Sequence, residues 1–344
     1  MVQQGRQNPS EHDDPAALAR ALEPALRATC GDHLAGEIEW FTATWQRGGA
    51  ALGKAVWNEG DAAHGDGLPV IIKLPVGGAE LTWTRRLGNH GSDRDVGLSE
   101  VPHPTPRVLK AGSELGGYDL GWIVIEKLDG KTVGSDLSET SLKGLISAAV
   151  EFQKRAHESD ERDGGVHGRT DDRDWAGQIA ASRRAVRDNA LPEEQRWNEA
   201  IKHTQRVLPN LLEQWRLRPT SDWCHGDLHP GNALHMPGDG EHPDRCVLID
   251  LGLVHRGSWV EDAVYLERVF WGHENKLGGV EPVKAMRAER KRRGLRVRER
   301  DGKLANIKRV LTAACVPARL AGEGGDAAYL HAALERLEAL LPTL

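Results

Sequence analysis

His225-Gly226-Asp227-Leu228-His229-Pro230-Gly231-Asn232, followed by Val247-Leu248-Ile249-Asp250-Leu251-Gly252, decides how the chain reads. An Asp, an Asn five residues later and an Asp closing an apolar strand supply three oxygen donors or acceptors. Phosphoryl transfer needs this set: one carboxylate orients the acceptor hydroxyl, while an amide oxygen and a second carboxylate suit hard Mg²⁺ beside nucleotide phosphates. Gly and Pro in the loop let it turn tightly enough to aim the side chains inward. Two alternatives stay open. His225, Asp227 and His229 alternate and could ligate the metal of a hydrolase, although no further His or carboxylate set stands at ligand spacing. A Gly-rich loop whose polar groups bond only its own backbone is the other.

Working outward, the first half alternates strand formers with turns. Pro15 to Ala28 has helical spacing, with Leu18, Leu22 and Leu26 on one face. Glu37 to Trp45 and Ala50 to Trp57 read as a hairpin around Gln46-Arg47-Gly48-Gly49, and Val70-Ile71-Ile72-Lys73-Leu74 as a third, buried strand. A short helix is expected over Ala79 to Asn89, with further strands at Arg107 to Ala111 and Trp122 to Ile125. The second half is helical: Thr140 to His157 carries a stripe of Leu142, Leu145, Ile146, Ala149 and Phe152, and helices are expected near 175–189, 192–217, 260–271 and from Leu304 onward. Cys246 to Ile249 is the one clear strand there. The fold class is therefore α+β, with a small antiparallel β-sheet lobe at 1–128 and a mainly helical lobe at 129–344.

Composition agrees. The chain has 344 residues, 39% hydrophobic and 28% charged, with a net charge of −6. A chain of this length buries a core without staples, and its negative balance argues against a surface devoted to nucleic acid. Cys30, Cys224, Cys246 and Cys315 lie far apart without a C-x-x-C pair, which fits a reducing compartment. The start, MVQQGRQNPSEHDDP, lacks a basic region leading into an apolar one, and no stretch approaches the roughly 20 apolar residues of a membrane span. A cytoplasmic location without a transmembrane segment is expected.

H-G-D-L-H-P-G-N with a following I-D-L-G resembles the aminoglycoside phosphotransferase family of the protein-kinase-like superfamily, and the resemblance runs from about Trp40 to Trp271. It implies a bilobal kinase-like fold, ATP as donor (GTP being possible) and Mg²⁺. It also implies that Asp227 is the catalytic base, that Asn232 and Asp250 bind the metal, and that Lys73 in V-I-I-K contacts the α/β-phosphates. Glu80 is similar to the helix carboxylate that pairs with that lysine. The segment Ile123 to Gly130, with Lys127 and Leu128, is similar to the connector whose backbone bonds adenine, and Asp262 to the aspartate that braces the catalytic loop. Read alone, Lys73 could equally snorkel to solvent and Glu80 could be an exposed helix residue. Arg47 to Gly53 departs from G-x-G-x-x-G. Gly226 stands where protein kinases place Arg, and no A-P-E follows Asp250, so a small-molecule acceptor is implied rather than a protein.

Cues to the acceptor conflict. Glu158 to Asp174 holds seven acidic residues against three Arg, among them Asp160, Glu161, Asp163, Asp171, Asp172 and Asp174, a possible rim for a polycationic antibiotic or a plain solvated loop. Lys284 to Arg300 holds nine Lys or Arg against two Glu, which fits a solvated helix face, an RNA or membrane patch, or a grip on an anion. Trp175, Trp197, Trp215, Trp259 and Trp271 could stack on a sugar or form core. The expected function is phosphorylation of a small-molecule hydroxyl, with an aminoglycoside as first acceptor. A sugar, choline-like or homoserine kinase and a nucleotide-binding regulator without catalysis are the alternatives. Oligomeric state has no signal in the sequence.

Overall fold

The computed structural model describes residues 15–41, 49–58, 67–88, 103–162, 173–189, 191–238, 243–320 and 326–344. The chain divides into two compact units, Met1–Asp129 with Asp250–Gly252, and Gly130–Ile249 with Leu253–Leu344.

The first unit opens with α1 (Pro15–Cys30) and an antiparallel sheet of β1 (Leu34–Phe41), β2 (Ala51–Trp57), β3 (Leu68–Val76), β4 (Val108–Gly112) and β5 (Gly121–Glu126), in the order β1-β2-β3-β5-β4. α2 (Gly78–Gly88) follows β3. β3 is central, and period-2 geometry divides its side chains between two faces. Val70, Ile72 and Leu74 are fully buried in one cluster with Leu22 and Leu26 of α1, whereas Ile71 and Lys73 are half-buried. Truncating Ile72 or Leu26 to Ala would cost roughly 2–5 kcal/mol. The stripe of α1 is Ala16, Ala19, Leu22, Leu26 and Cys30, not the expected Leu18, which is 43% exposed. The 3.6-residue period carries Leu18 about 80° from Leu26 around the axis. Gly53 serves packing: a Cβ there would stand 2.7 Å from Ile38 Cγ2. Of the expected hairpin turn, residues 46–48 lie outside the described residues.

The second unit contains β6 (Lys131–Thr132), α3 (Glu139–Arg162), α4 (Trp175–Asp188), α5 (Glu194–Arg216), β7 (Asp222–Cys224), β8 (Ala233–Met236), β9 (Arg245–Leu248), β10 (His255–Gly257), α6 (Val260–Arg268), α7 (Pro282–Arg292), α8 (Asp301–Ala314), α9 (Val316–Leu320) and α10 (Ala327–Leu340). Leu142, Leu145, Ile146, Ala149 and Phe152 of α3 are all buried. Two small antiparallel ladders aim the loops: β10 pairs with β7 and sets His255 opposite Cys224, while β8 lies between β6 and β9. Trp175, Trp197, Trp215, Trp259 and Trp271 are at most 4% exposed, so they form core. The basic run is not a solvated face throughout. Arg290 is 1% exposed, donates to Asp222 at 2.8 Å and to Gln153 at 2.5 Å, and Arg293 pairs with Glu151 and Glu289. All four cysteines are free and buried. Among the described residues no helix is long and apolar enough to cross a membrane.

Candidate active site

In the first unit, Lys73 projects from the face of β3 opposite the α1 core. Its Nζ donates to Glu80 Oε1 at 2.5 Å and to Asp250 Oδ1 at 3.2 Å. Glu80 occupies the first turn of α2, where the helix dipole favours a carboxylate. Asp250 adopts φ 64°, a left-handed conformation that costs an ordinary residue about 1–2 kcal/mol and that Asp tolerates best. Burial opposes the lysine's charge, but Glu80 and Asp250 outweigh it and raise the Lys73 pKa above its ordinary value. Lys73 is therefore a fixed cation. With one cation between two carboxylates, the cluster carries a net negative charge that a divalent cation would offset.

The adenine connector is partly claimed by the sheet. Lys127 N–H donates to Pro69 O at 2.8 Å, and its Nζ reaches Asp129 at 2.7 Å. The Lys127 N–H is therefore engaged within the sheet, which leaves the carbonyl as that residue's open backbone group. Pro69 has no N–H to return, and among the described residues no donor reaches the Lys127 carbonyl and no acceptor takes the Leu128 N–H. The Glu126 carboxylate accepts from Arg107 N at 2.8 Å and closes the edge of the sheet.

In the second unit the loop leaves β7 at His225. Gly226 has φ 84°, and a Cβ there would meet Leu253 O at 2.2 Å, so the position that carries Arg in protein kinases accepts no side chain here. Asp262, 1% exposed near the start of α6, takes the His225 and Gly226 amides, both at 2.9 Å. His225 Nδ1 accepts from Asp227 N at 3.3 Å, which leaves its Nε2–H to donate to Ile249 O at 3.0 Å. His229 Nδ1 accepts from Gly231 N at 3.0 Å, so its protonated Nε2 is the atom 3.6 Å from Asp227 Oδ2. Asn232 Nδ2 donates to Asp227 O and Oδ2, both at 3.0 Å. The Tyr265 hydroxyl donates to Asp227 Oδ1. Burial alone would raise the Asp227 pKa, yet the bonds from His229 and Tyr265 hold it well below the usual carboxylate range. Asp227 is a fixed anion with its geometry set by neighbours.

Tyr265 had no sequence signal of its own. It stands three residues after Asp262, so once Asp262 is placed against the loop, the helical i, i+3 relation brings Tyr265 to the same face. The metal-hydrolase alternative loses His225, both of whose ring nitrogens are engaged by backbone, and His225, Asp227 and His229 are not gathered tightly enough to share a metal. The one group of His, Cys and carboxylates gathered tightly enough for a metal among the described residues is Cys224, His255 and Glu261. Glu261 is already paired with Arg218 at 2.8 Å and Lys308 at 3.5 Å, cations that oppose a metal there. For Mg²⁺ the expected donors fit chemically. In the second unit Asn232 turns its Nδ2 to Asp227, leaving Oδ1 without a partner among the described residues; in the first unit Asp250 is a carboxylate of the kind Mg²⁺ takes.

A family model of phosphotransferase enzymes matches residues 64–300. The chain belongs to this phosphotransferase enzyme family. The aminoglycoside 3'-phosphotransferase of Streptomyces fradiae is 28% identical over 150 residues, which are 43% of this chain and 52% of the relative. The match thus spans about half the length of that curated relative. The crystal structure of an aminoglycoside phosphotransferase from Alicyclobacillus acidocaldarius superposes with a TM-score of 0.56 over 100% of this chain and 98% of that one, at 14% identity. That of choline kinase from Cryptosporidium parvum gives 0.50 over 95% and 93%, at 11% identity. At these identities the likeness concerns the fold, which is the α+β fold of these kinases.

Proposed function

We propose that the protein is a small-molecule kinase that transfers the γ-phosphoryl group of ATP to a hydroxyl. The observation that carries the reading is the Lys73–Glu80–Asp250 cluster, a cation fixed between carboxylates on the strand-and-helix pair of the first unit. Lys73 would hold nucleotide phosphates as a point charge, and the Leu128 N–H with the Lys127 carbonyl would bond the base. Asp250 and Asn232 would hold Mg²⁺, which when bound neutralises charge on the transferred phosphate. Asp227 orients the acceptor hydroxyl. The hydroxyl oxygen forms the new bond to the γ-phosphorus as the bond to the β,γ-bridging oxygen breaks, and ADP leaves with that electron pair. The proton passes to Asp227 late, because a carboxylate held this acidic is a weak base until the hydroxyl has bonded to phosphorus.

An aminoglycoside acceptor is the finer reading, supported by the name of the S. fradiae relative. The acidic rim supports it less than its composition suggests. Asp160 pairs with Arg256, Glu161 lies 3.2 Å from His157, and Asp174 caps α4 through Gly177 N at 2.9 Å. Asp163, Asp171 and Asp172 lie outside the described residues. The choline kinase likeness allows an amino alcohol. The test is ADP formation from ATP and Mg²⁺ over aminoglycosides, other antibiotics, sugars, amino alcohols and hydroxy acids, with Lys73→Ala as control. Acceptor-dependent ADP release in the wild type, lost in the variant, supports the reading. Nucleotide binding without turnover on any acceptor favours the regulatory alternative.

A further inference from the structure

One cation of the basic run is built into the interior. Arg290 of α7, at 1% exposure, is the one buried Lys or Arg between Lys284 and Arg300. A buried guanidinium is costly unless its fork is matched, and here the fork reaches two elements at once. Its Nη2 donates to Asp222 Oδ1 at 2.8 Å and to Arg296 O at 3.1 Å, while its Nη1 donates to Gln153 Oε1 at 2.5 Å. Met286 lies one turn earlier on the same face of α7, fully buried, with its Sδ 4.0 Å from Gln153 Nε2.

Gln153 of α3 is 2% exposed. A guanidinium only donates, so the Gln153 amide oxygen must face Arg290, which turns Nε2 toward Asp262. The bond from Nε2 to Asp262 Oδ2 is long, at 3.5 Å; the same oxygen takes His225 N at 2.9 Å, and Oδ1 takes Gly226 N at 2.9 Å. A carboxylate withdrawn from water keeps its charge only through such donors. The other arm of the fork reaches the same loop. Asp222 opens β7, which runs directly into His225, and its Oδ2 accepts from Trp259 N at 3.3 Å, just before α6, the helix that carries Asp262. Arg290 thus holds the strand that enters the loop and, through Gln153, the carboxylate that fixes the amides next to Asp227.

We propose that Arg290 and Gln153 are positioning residues for Asp227, acting from behind the loop through Asp222 and Asp262. The inference deepens the kinase reading and rests on it. One residue of the basic run then has an internal use, in place of a grip on an anion.

The test is amide hydrogen exchange of the full chain with ADP and Mg²⁺, read at His225 and Gly226 and, for comparison, in α3 and α7. Gln153→Glu keeps the side chain's shape and an acceptor for Arg290, but turns a carboxylate toward Asp262. Exchange at His225 and Gly226 should quicken at least tenfold in this variant, with α3, α7 and the melting temperature little changed. Gln153→Met, which only removes the donor, should act in the same direction and by less. On the acceptor that releases most ADP in the screen above, kcat of Gln153→Glu should fall at least tenfold with ADP affinity within twofold of wild type. Added to Asp227→Asn, the same substitution should cost less than threefold, because it acts through that residue. Unchanged exchange at His225 and Gly226, or an equal loss of kcat in the Asp227→Asn background, overturns the proposal. So does a lower melting temperature with α3 and α7 exchanging as much faster as the loop, which would make Gln153 merely structural. No acceptor-dependent ADP release from the wild type overturns the kinase reading and leaves the exchange result to decide the relay.

Discussion

Lys73 and Asp227 are both fixed ions, yet they are held differently. Lys73 lies between two carboxylates, at 2.5 and 3.2 Å, so its surroundings are themselves charged. Asp227 takes its bonds from a phenol, an amide and an imidazole, none of which needs a formal charge to donate. The first arrangement carries a net negative charge, so it would suit highly charged phosphates once a divalent cation offsets that charge. The second sets direction, which would suit a carboxylate that takes the proton of one hydroxyl in one orientation. Substitutions that change charge but not shape should therefore act differently in the two places.

The largest effect is expected where direction and proton acceptance coincide. Asp227→Asn keeps the shape and removes the acceptor, so kcat should fall about 10²–10⁴-fold, with the melting temperature little changed. A variant that melts many degrees lower would recast Asp227 as a structural residue. Next comes the buried ion network behind the loop. Glu261→Gln strands Arg218 and Lys308, at 5% and 9% side-chain exposure, and should cost about 3–5 kcal/mol in a denaturant titration. Tyr265→Phe removes one hydrogen bond to a charged acceptor, worth about 1.5–3 kcal/mol, so kcat should fall roughly 10- to 100-fold. Because that bond helps hold the Asp227 pKa down, its loss raises the pKa and moves the acid limb of the rate profile to higher pH. An unmoved limb would mean that Tyr265 does not act through Asp227.

The smallest effect is on acid stability. Glu289 is lowered from 4.5 to about 2, chiefly by its bond to Arg292 and then those to Arg293 and Ser147. A depressed carboxylate contributes its full stability above the unfolded value and loses it as pH falls through the folded one. Melting temperature should therefore decline between about pH 4.5 and 2, and Glu289→Gln should flatten part of that decline.

What the sequence reveals follows from how local the signal is. Asp227, Asn232 and Asp250 stand in a compact motif whose oxygen donors suit phosphoryl transfer, and Lys73 and Glu80 are seven residues apart across a strand-to-helix turn. Asp262 and the α3 stripe are legible for the same reason. Tyr265 bonds a residue 38 positions away, and Arg290 one 68 positions away, so nothing next to them announces the partner. β6, β8 and β10 are two to four residues long, too short for a period to register. Composition misled at the basic run and the acidic rim, where charge counts took no account of pairing.

The central claim is that the charged cluster serves the nucleotide and the hydrogen-bonded aspartate serves the hydroxyl. It is tested most directly by ADP affinity, with Mg²⁺ present, in wild type, Lys73→Met and Asp227→Asn. The account predicts at least tenfold weaker binding in Lys73→Met and wild-type binding in Asp227→Asn despite its lost turnover. Equal affinity in Lys73→Met, or a tenfold loss confined to Asp227→Asn, would contradict it.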